Sequence, residues 1–387
     1  MKYFQLFLIF ISLLYSHYIQ AQEIFFIKDL VSQDSLINTV RILSGEDSVF
    51  IGGIKTKISE RHSDFGTNKA ADYIKEKFNE MDLSVFDQKY SATGRNIYAV
   101  QKGNVVPDSF YIICAHYDSV EDYCADDNAS GTAAVLEAAR ILSDSCFRYS
   151  IIYALWDEEE KGLIGSFYFA SQLEILNLKI KGVINLDMIG YDSNNDSSME
   201  IHVNTDPKTT SLSNALLKTI DELKLRLVPG IQNPGTNGSD HTPFWLKGIG
   251  AVLIIEAYFS GDFNKFYHTA NDRINKFNIP YFHEMSKLGI VTLTKLAQPC
   301  GSVYSGYTEP DENIFIFPNP TKGEISIISK NNEPFRLIGY DMFGKMLIDK
   351  KCQGELNFDI REKSDGIYFF NIISNNGFVS RKILKVN

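Results

Sequence analysis

Four apolar runs in this chain each lead into a histidine or a carboxylate. Tyr111-Ile112-Ile113-Cys114-Ala115 leads into His116-Tyr117-Asp118-Ser119, and Ser150 to Trp156 leads into Asp157-Glu158-Glu159-Glu160. Val183 to Leu186 stops on Asp187, and Val252 to Ile255 is followed, after a glycine-containing loop, by Tyr267-His268. Runs of this length bounded by polar residues read as buried strands, and open α/β sheets gather ligands beyond the carboxyl ends of their strands. Amphipathic stretches alternate with these runs from about residue 23 to residue 305; one, over 68–81, sets Ala71, Ile74, Phe78 and Met81 on a single helical face. The alternation predicts an α/β domain with parallel strands.

Eleven residues after His116 stands Asp127, in Ala125-Asp126-Asp127-Asn128-Ala129-Ser130-Gly131-Thr132, ahead of an alanine-rich helical stretch. Acids at a helix start are ordinarily caps. Capping accounts for one of the two, because a second adjacent carboxylate adds repulsion unless a cation or a hydrogen-bond network holds it. The run of four acids at 157–160 has a plain alternative too, a solvated first helical turn favoured by the helix dipole. His116 alone would read as a satisfied core histidine. Together, two histidines and three or four carboxylates at one sheet edge form an N/O donor set suited to zinc. Two cations about 3.5–4 Å apart need one carboxylate between them and a histidine and a carboxylate each. One more carboxylate is then required as general base. Cys114, inside an apolar strand, and Cys124, in a loop, are not expected as ligands.

A net charge of −10 argues against nucleic acid as a partner, since such a chain must neutralise phosphates. The charge is uneven: residues 313–387 hold 11 Lys+Arg and 8 Asp+Glu, net +3, which leaves −13 for residues 1–312. Two units of different character follow. Met1-Lys2-Tyr3, an apolar run to about Tyr15 and Ala21 before Gln22 give a secretory signal layout, residues 1–21, too short to span a bilayer. Residues 22–305 form the large domain, the turn-rich stretch at 306–312 a linker, and 313–387 a small β-sandwich of short alternating runs such as Glu324–Ile328, Phe335–Tyr340 and Ile367–Ile372. Five cysteines are too few for a disulfide framework, though one or two bridges remain open.

The motifs AHYDS at 115–119, ADDNASG at 125–131, EEEKGLIGS at 158–166, NLDMIG at 185–190, GSDH at 238–241 and YHTANDR at 267–273 resemble the zinc exopeptidases related to aminopeptidase S, aminopeptidase Y and the bacterial leucyl aminopeptidases. The resemblance covers roughly residues 36–297. It implies a mixed, mostly parallel sheet flanked by helices and a secreted aminopeptidase with two Zn2+. His116 and Asp187 would hold one ion and Glu160 and His268 the other, with Asp127 between them and the peptide after it cis. Glu159 would be the general base, Asp118 would orient the His116 ring, and Asp240 and His241 would line or back the site. The upstream Tyr that some members carry is replaced here by the Thr236-Asn237 stretch. Phe244, Trp245, Tyr258 and Phe259 are candidates for an apolar pocket wall or for core. The implied partners are peptides with a free N-terminus, and a monomer is expected. A glutaminyl cyclase on the same fold with one zinc, and a non-catalytic binding scaffold, stay open as alternatives. Ile316–Pro320, Gly339–Lys345, Ser364–Phe369 and Arg381–Val386 resemble the sorting domain of type IX secretion substrates, which implies passage to the periplasm and then across the outer membrane to the cell surface or medium.

Overall fold

The computed structural model describes residues 27–300, 314–329, 332, 334–341, 346–374 and 377–386. The expected signal peptide, the expected linker and the Met342–Lys345 part of the sorting motif lie outside the described residues. The described residues belong to two compact units, 27–300 and 314–386.

The first unit contains a hairpin of β1 (Ser48–Ile51) and β2 (Ile54–Lys57). Eight further strands form one sheet: β3 (Ser84–Lys89), β4 (Arg95–Gln101), β5 (Val106–His116), β6 (Tyr149–Trp156), β7 (Lys179–Leu186), β8 (Ser198–His202), β9 (Val228–Gln232) and β10 (Ala251–Glu256). Their spatial order is β3-β4-β6-β5-β7-β10-β8-β9. The four neighbours β6, β5, β7 and β10 run parallel, as do β8 and β9, while β3, β4 and the β10–β8 pairing are antiparallel. The sheet is therefore mixed with a parallel centre, as the motif resemblance implies.

Helices cover both faces: α1 (Gln33–Leu43), α2 (Asp64–Glu80), α3 (Gly131–Leu142), α4 (Ile164–Gln172), α5 (Pro207–Leu223), α6 (Thr242–Leu246) and α7 (Ile279–Ala297). Alternation along the strands decides the faces. Ile113, Ala115, Ile151, Tyr153 and Leu155 pack against α1, α2, α3, α5 and α7, whereas Ile112, Cys114, Ile152, Ala154 and Trp156 pack toward α4 and α6. The helix expected over 68–81 starts earlier, at Asp64, because the Ser63 hydroxyl accepts the Gly66 N–H and caps it. Ala71, Ile74 and Phe78 are fully buried on its inner face. Cys146 and Cys300 are disulfide-bonded, closing a separation of 154 residues, and Cys114 and Cys124 are buried free thiols.

The second unit has antiparallel strands β11 (Ile314–Phe317), β12 (Glu324–Ser329), β13 (Pro334–Asp341), β14 (Met346–Gln353), β15 (Glu355–Asp359), β16 (Gly366–Ser374) and β17 (Gly377–Lys385). They form sheets β11-β12-β15 and β14-β13-β16-β17. One core joins the sheets, with Ile325 and Ile327 from the first meeting Leu337, Phe370 and Ile383 from the second, so the unit is a sandwich.

Candidate metal centre

The parallel centre of the sheet brings the chemistry-bearing residues to one edge. His116 is the last residue of β5, Asp118 lies two beyond it, Glu159 and Glu160 follow β6, and Asp187 follows β7 directly. His268 comes from the loop after β10, and Asp127 from the turn between β5 and α3, where the Asp127–Asn128 peptide is cis. The C-terminal half of each strand is buried and, Asn185 apart, largely apolar, so the charged groups cluster where the sheet ends.

Asp127 stands at the middle. Its Oδ1 lies 3.3 Å from His116 Nε2, and its Oδ2 lies 3.2 Å from His268 Nε2. His116 Nε2 is 3.4 Å from Asp187 Oδ1, and His268 Nε2 is 3.2 Å from Glu160 Oε2. These contacts make two overlapping donor sets, His116–Asp127–Asp187 and Asp127–Glu160–His268. The separations sit at or beyond the long end of N–H···O bonds. They match the edge of a tetrahedron, because zinc bonds of about 2.0–2.1 Å place ligand atoms about 3.3–3.4 Å apart. Asp127 Oδ2, Glu160 Oε1 and Asp187 Oδ1 are buried yet accept no hydrogen bond. Groups of this kind normally find a partner, and a pair of divalent cations would satisfy all three.

The charges agree with that fit. With the protein's own groups alone, burial pushes the Glu159 carboxyl well above the usual range and Glu160 up to about 7. His268, beside Asp127 and Glu160, is raised to about 10. At Glu159 and Glu160 burial thus penalises ionisation, and a bound cation reverses that balance.

Supporting residues orient these groups. Asp118 Oδ1 lies 3.3 Å from His116 Nδ1, and the Asp118 carboxylate accepts the backbone N–H groups of Glu159 (3.2 Å) and Glu160 (3.1 Å), so one side chain ties β5 to the acidic loop. Ser239 Oγ donates to Asp187 Oδ2 at 2.6 Å and accepts from Asn185 Nδ2 at 2.7 Å. Asp272 Oδ2 accepts the N–H groups of Asp126 and Asp127 at 2.9 and 3.0 Å, fixing the Asp127 turn from behind. Arg61, fully buried, donates to the carbonyls of Leu43, Tyr117, Tyr123 and Cys124, which lie around the same turn. Ser239, Asn185 and Asp272 fall inside motifs legible in the sequence, but their spacing carried no sign of these bonds; Arg61 carried no signal at all.

The donors open into a small cavity of about 60 Å³. Its apolar lining is Met188, Leu253, Ile255, Tyr258 and Tyr267. From the 236–241 segment the wall takes Thr236, Gly238 and Ser239, while Asp240 and His241 are wholly buried behind it. Burial pushes Asp240 up to about 7 and holds His241 down to about 3; His241 Nε2 pairs with the Thr236 carbonyl at 2.9 Å. Phe244 is core against Trp156 and Phe169, Trp245 packs edge-on to His241, Tyr258 reaches the cavity, and Phe259 is exposed.

Residues 96–292 match the family model Peptidase family M28, and residues 315–386 match the model Secretion system C-terminal sorting domain. A probable zinc metalloprotease of Leptosphaeria maculans is 27% identical over 251 residues, 53% of this chain and 58% of the relative. Aminopeptidase YwaD of Bacillus subtilis is 33% identical over 191 residues, 47% of this chain and 40% of the relative. The chain thus spans about half the length of these curated relatives. Among solved structures, the LapA aminopeptidase of Legionella pneumophila superposes with TM-score 0.61 at 24% identity, covering 72% of this chain and 75% of that one. A glutaminyl cyclase of Porphyromonas gingivalis superposes with TM-score 0.55 at 19% identity, covering 69% and 99%. At these identities the likeness concerns the fold alone.

Proposed function

The chain belongs to peptidase family M28, and from that premise we propose that it is an exported aminopeptidase holding two zinc ions. One observation carries the two-ion reading: Asp127 turns one oxygen toward His116 and the other toward His268, each histidine paired with its own second carboxylate. His116 and Asp187 would hold one ion, Glu160 and His268 the other, with Asp127 shared. Bound zinc supplies Lewis acidity, bringing the pKa of water down to about 7 and polarising a carbonyl oxygen. Glu159, on the cavity wall, takes the proton of the attacking water and returns it to the leaving amine. Asp118 holds the His116 ring while Asp272 and Arg61 hold the Asp127 turn, so the donors need no rearrangement on binding. The substrate is a peptide with a free N-terminus, its first side chain directed to the apolar lining of the cavity.

The sorting-domain match supports export. We extend it to a signal peptide at 1–21, a catalytic domain at 22–305, a linker at 306–312 and a sorting domain at 313–387, with passage through the periplasm and then the outer membrane. Removing residues 313–387 leaves turnover and stops export; a folded but inactive truncation contradicts the division.

Zinc content per chain, with amino acid release from aminoacyl anilides before and after chelation, tests the proposal. Two zincs and chelator-sensitive release are expected. One zinc, no release and cyclisation of N-terminal glutamine would replace the reading with that of the glutaminyl cyclase, whose fold is shared. A chain without metal or turnover would replace it with a binding scaffold.

A further inference from the structure

On β8, Glu200 and His202 point to the same face and are buried, with 1% and 0% exposure. They stand beside Ile255 and Leu253 of β10, both of which line the cavity. A strand needing only to pack would carry apolar residues here, as it does on its opposite face with Met199 and Ile201. The polar pair instead bonds to two separate segments that each contribute to the cavity wall. Glu200 Oε1 accepts the Phe259 N–H at 2.8 Å and the Ser260 hydroxyl at 2.5 Å, next to Tyr258 on one wall. His202 Nδ1 accepts the N–H of Thr236, on the other wall, at 3.0 Å. That bond leaves Nδ1 without a proton, so Nε2–H donates to Glu200 Oε2 at 2.8 Å and joins the two halves.

Packing tightens the same connection. The His202 ring stacks on Phe259 at 5.3 Å and meets Tyr258 edge-on at 6.0 Å. Gly235 lies so close that a Cβ there would stand 2.5 Å from His202 Cβ. Tyr258 then contacts Phe263, Phe263 contacts Tyr267, and Tyr267 stacks on His268, which runs the aromatic contacts back to the metal donors.

We propose that Glu200 and His202 are positioning residues: they hold the Thr236 and Tyr258 walls at a set separation and so decide which N-terminal side chains reach the apolar lining of the cavity. The proposal rests on the aminopeptidase reading above. A fully satisfied buried network of this kind is rigid, and a preorganised pocket discriminates between side chains through its shape.

Glu200→Gln tests it at nearly constant volume. The glutamine amide has one acceptor where the carboxylate had two. Turned toward Phe259, its NH2 faces an N–H. Turned toward His202, it forces the ring to protonate Nδ1 against the Thr236 N–H. Either arrangement sets donor against donor and loosens one wall. With alanyl, leucyl and phenylalanyl anilides, the expected result is a roughly tenfold rise in KM for the two larger substrates. For alanyl the change stays within about twofold, kcat changes little, and zinc content is unchanged. Amide hydrogen exchange gives a readout without turnover: Thr236, which does not touch Glu200 directly, should exchange faster in the variant. An equal loss for all three substrates, or unchanged exchange at Thr236, overturns the proposal. If Glu200→Gln does not fold, Ser260→Ala decides, since it removes a single donor at the partly exposed edge. It should shift selectivity two- to fivefold in the same direction, and no shift overturns the proposal. A wild-type protein that releases no amino acid overturns the aminopeptidase reading first and this inference with it. An active wild type with unaltered variant selectivity removes this inference alone.

Discussion

Replacing Ser239 with alanine should separate the two ions. Asp187 is held by one line of bonds, from Asn185 Nδ2 to Ser239 Oγ at 2.7 Å and from Ser239 Oγ to Asp187 Oδ2 at 2.6 Å. Ser239 is buried, at 1% exposure, and alanine offers Asp187 no donor in its place. A hydrogen bond to a charged group contributes about 1.5–3 kcal/mol. Losing a bond that orients a ligand lowers metal affinity by about 10- to 100-fold. The two figures agree, because about 1.4 kcal/mol is a factor of ten. The Asn185 amide loses its acceptor whether or not metal is bound, so that loss falls on folding, at about 1–3 kcal/mol. Glu160 and His268 are untouched. Chelator competition should therefore show one of the wild type's two zinc steps weakened 10- to 100-fold in Ser239→Ala and the other unmoved. Urea unfolding of the zinc-free protein reports the stability loss. Asn185→Ala, which leaves Ser239 free to donate to Asp187, should weaken binding less. If both zinc steps shift equally, or neither does, the assignment of Asp187 to a single ion is wrong.

Glu159→Gln should keep both zincs and lose about 10²- to 10⁴-fold in turnover, since proton transfer goes and ligation stays; loss of zinc from that variant would make Glu159 a ligand. His241, whose pKa burial holds at about 3 when folded, binds a proton more readily unfolded. Its contribution to stability is therefore full above about pH 6.5 and falls by up to about 1.4 kcal/mol per pH unit as pH drops from there toward 3. His241→Gln should flatten the acid limb of a stability–pH curve, and an unchanged slope would show that other groups set it. Breaking Cys146–Cys300 by a double serine substitution releases a separation of 154 residues, for which chain entropy sets a ceiling of about 5 kcal/mol. Calorimetry should record a clear fall in Tm, and an unaltered Tm would mean the bond constrains little in the unfolded chain.

The parts of the site that could be read from the sequence are those where position along the chain and position in the fold coincide. An apolar run that stops on His116, Asp157 or Asp187 marks a strand end, and adjacent parallel strands share that end. The proposed ligand assignment followed from donor chemistry and the motif resemblance. What stayed hidden depends on pairs far apart in sequence. Asp272 and Asp127 are 145 residues apart, Ser239 and Asp187 52, and Arg61 lies 63 residues from Cys124. No local period encodes these bonds. Glu200 and His202 stand two apart on one strand, and alternation reports which residues share a face and not what covers it. Asp240 and His241 belonged to a motif whose place at the cavity surface falls to their neighbours Ser239 and Gly238. Five cysteines left the pairing open, since the partners lie on segments brought together by the completed fold.

The donors that meet at Asp127 are strung along the chain from His116 to His268, and the last arrives on the loop that follows the seventh strand of the main sheet's own sequence order after β3. A growing chain therefore carries at most the His116–Asp127–Asp187 set until His268 has been added. On the two-ion reading, the proposed site is complete only in the finished sheet, so turnover waits for the last part of the fold to close.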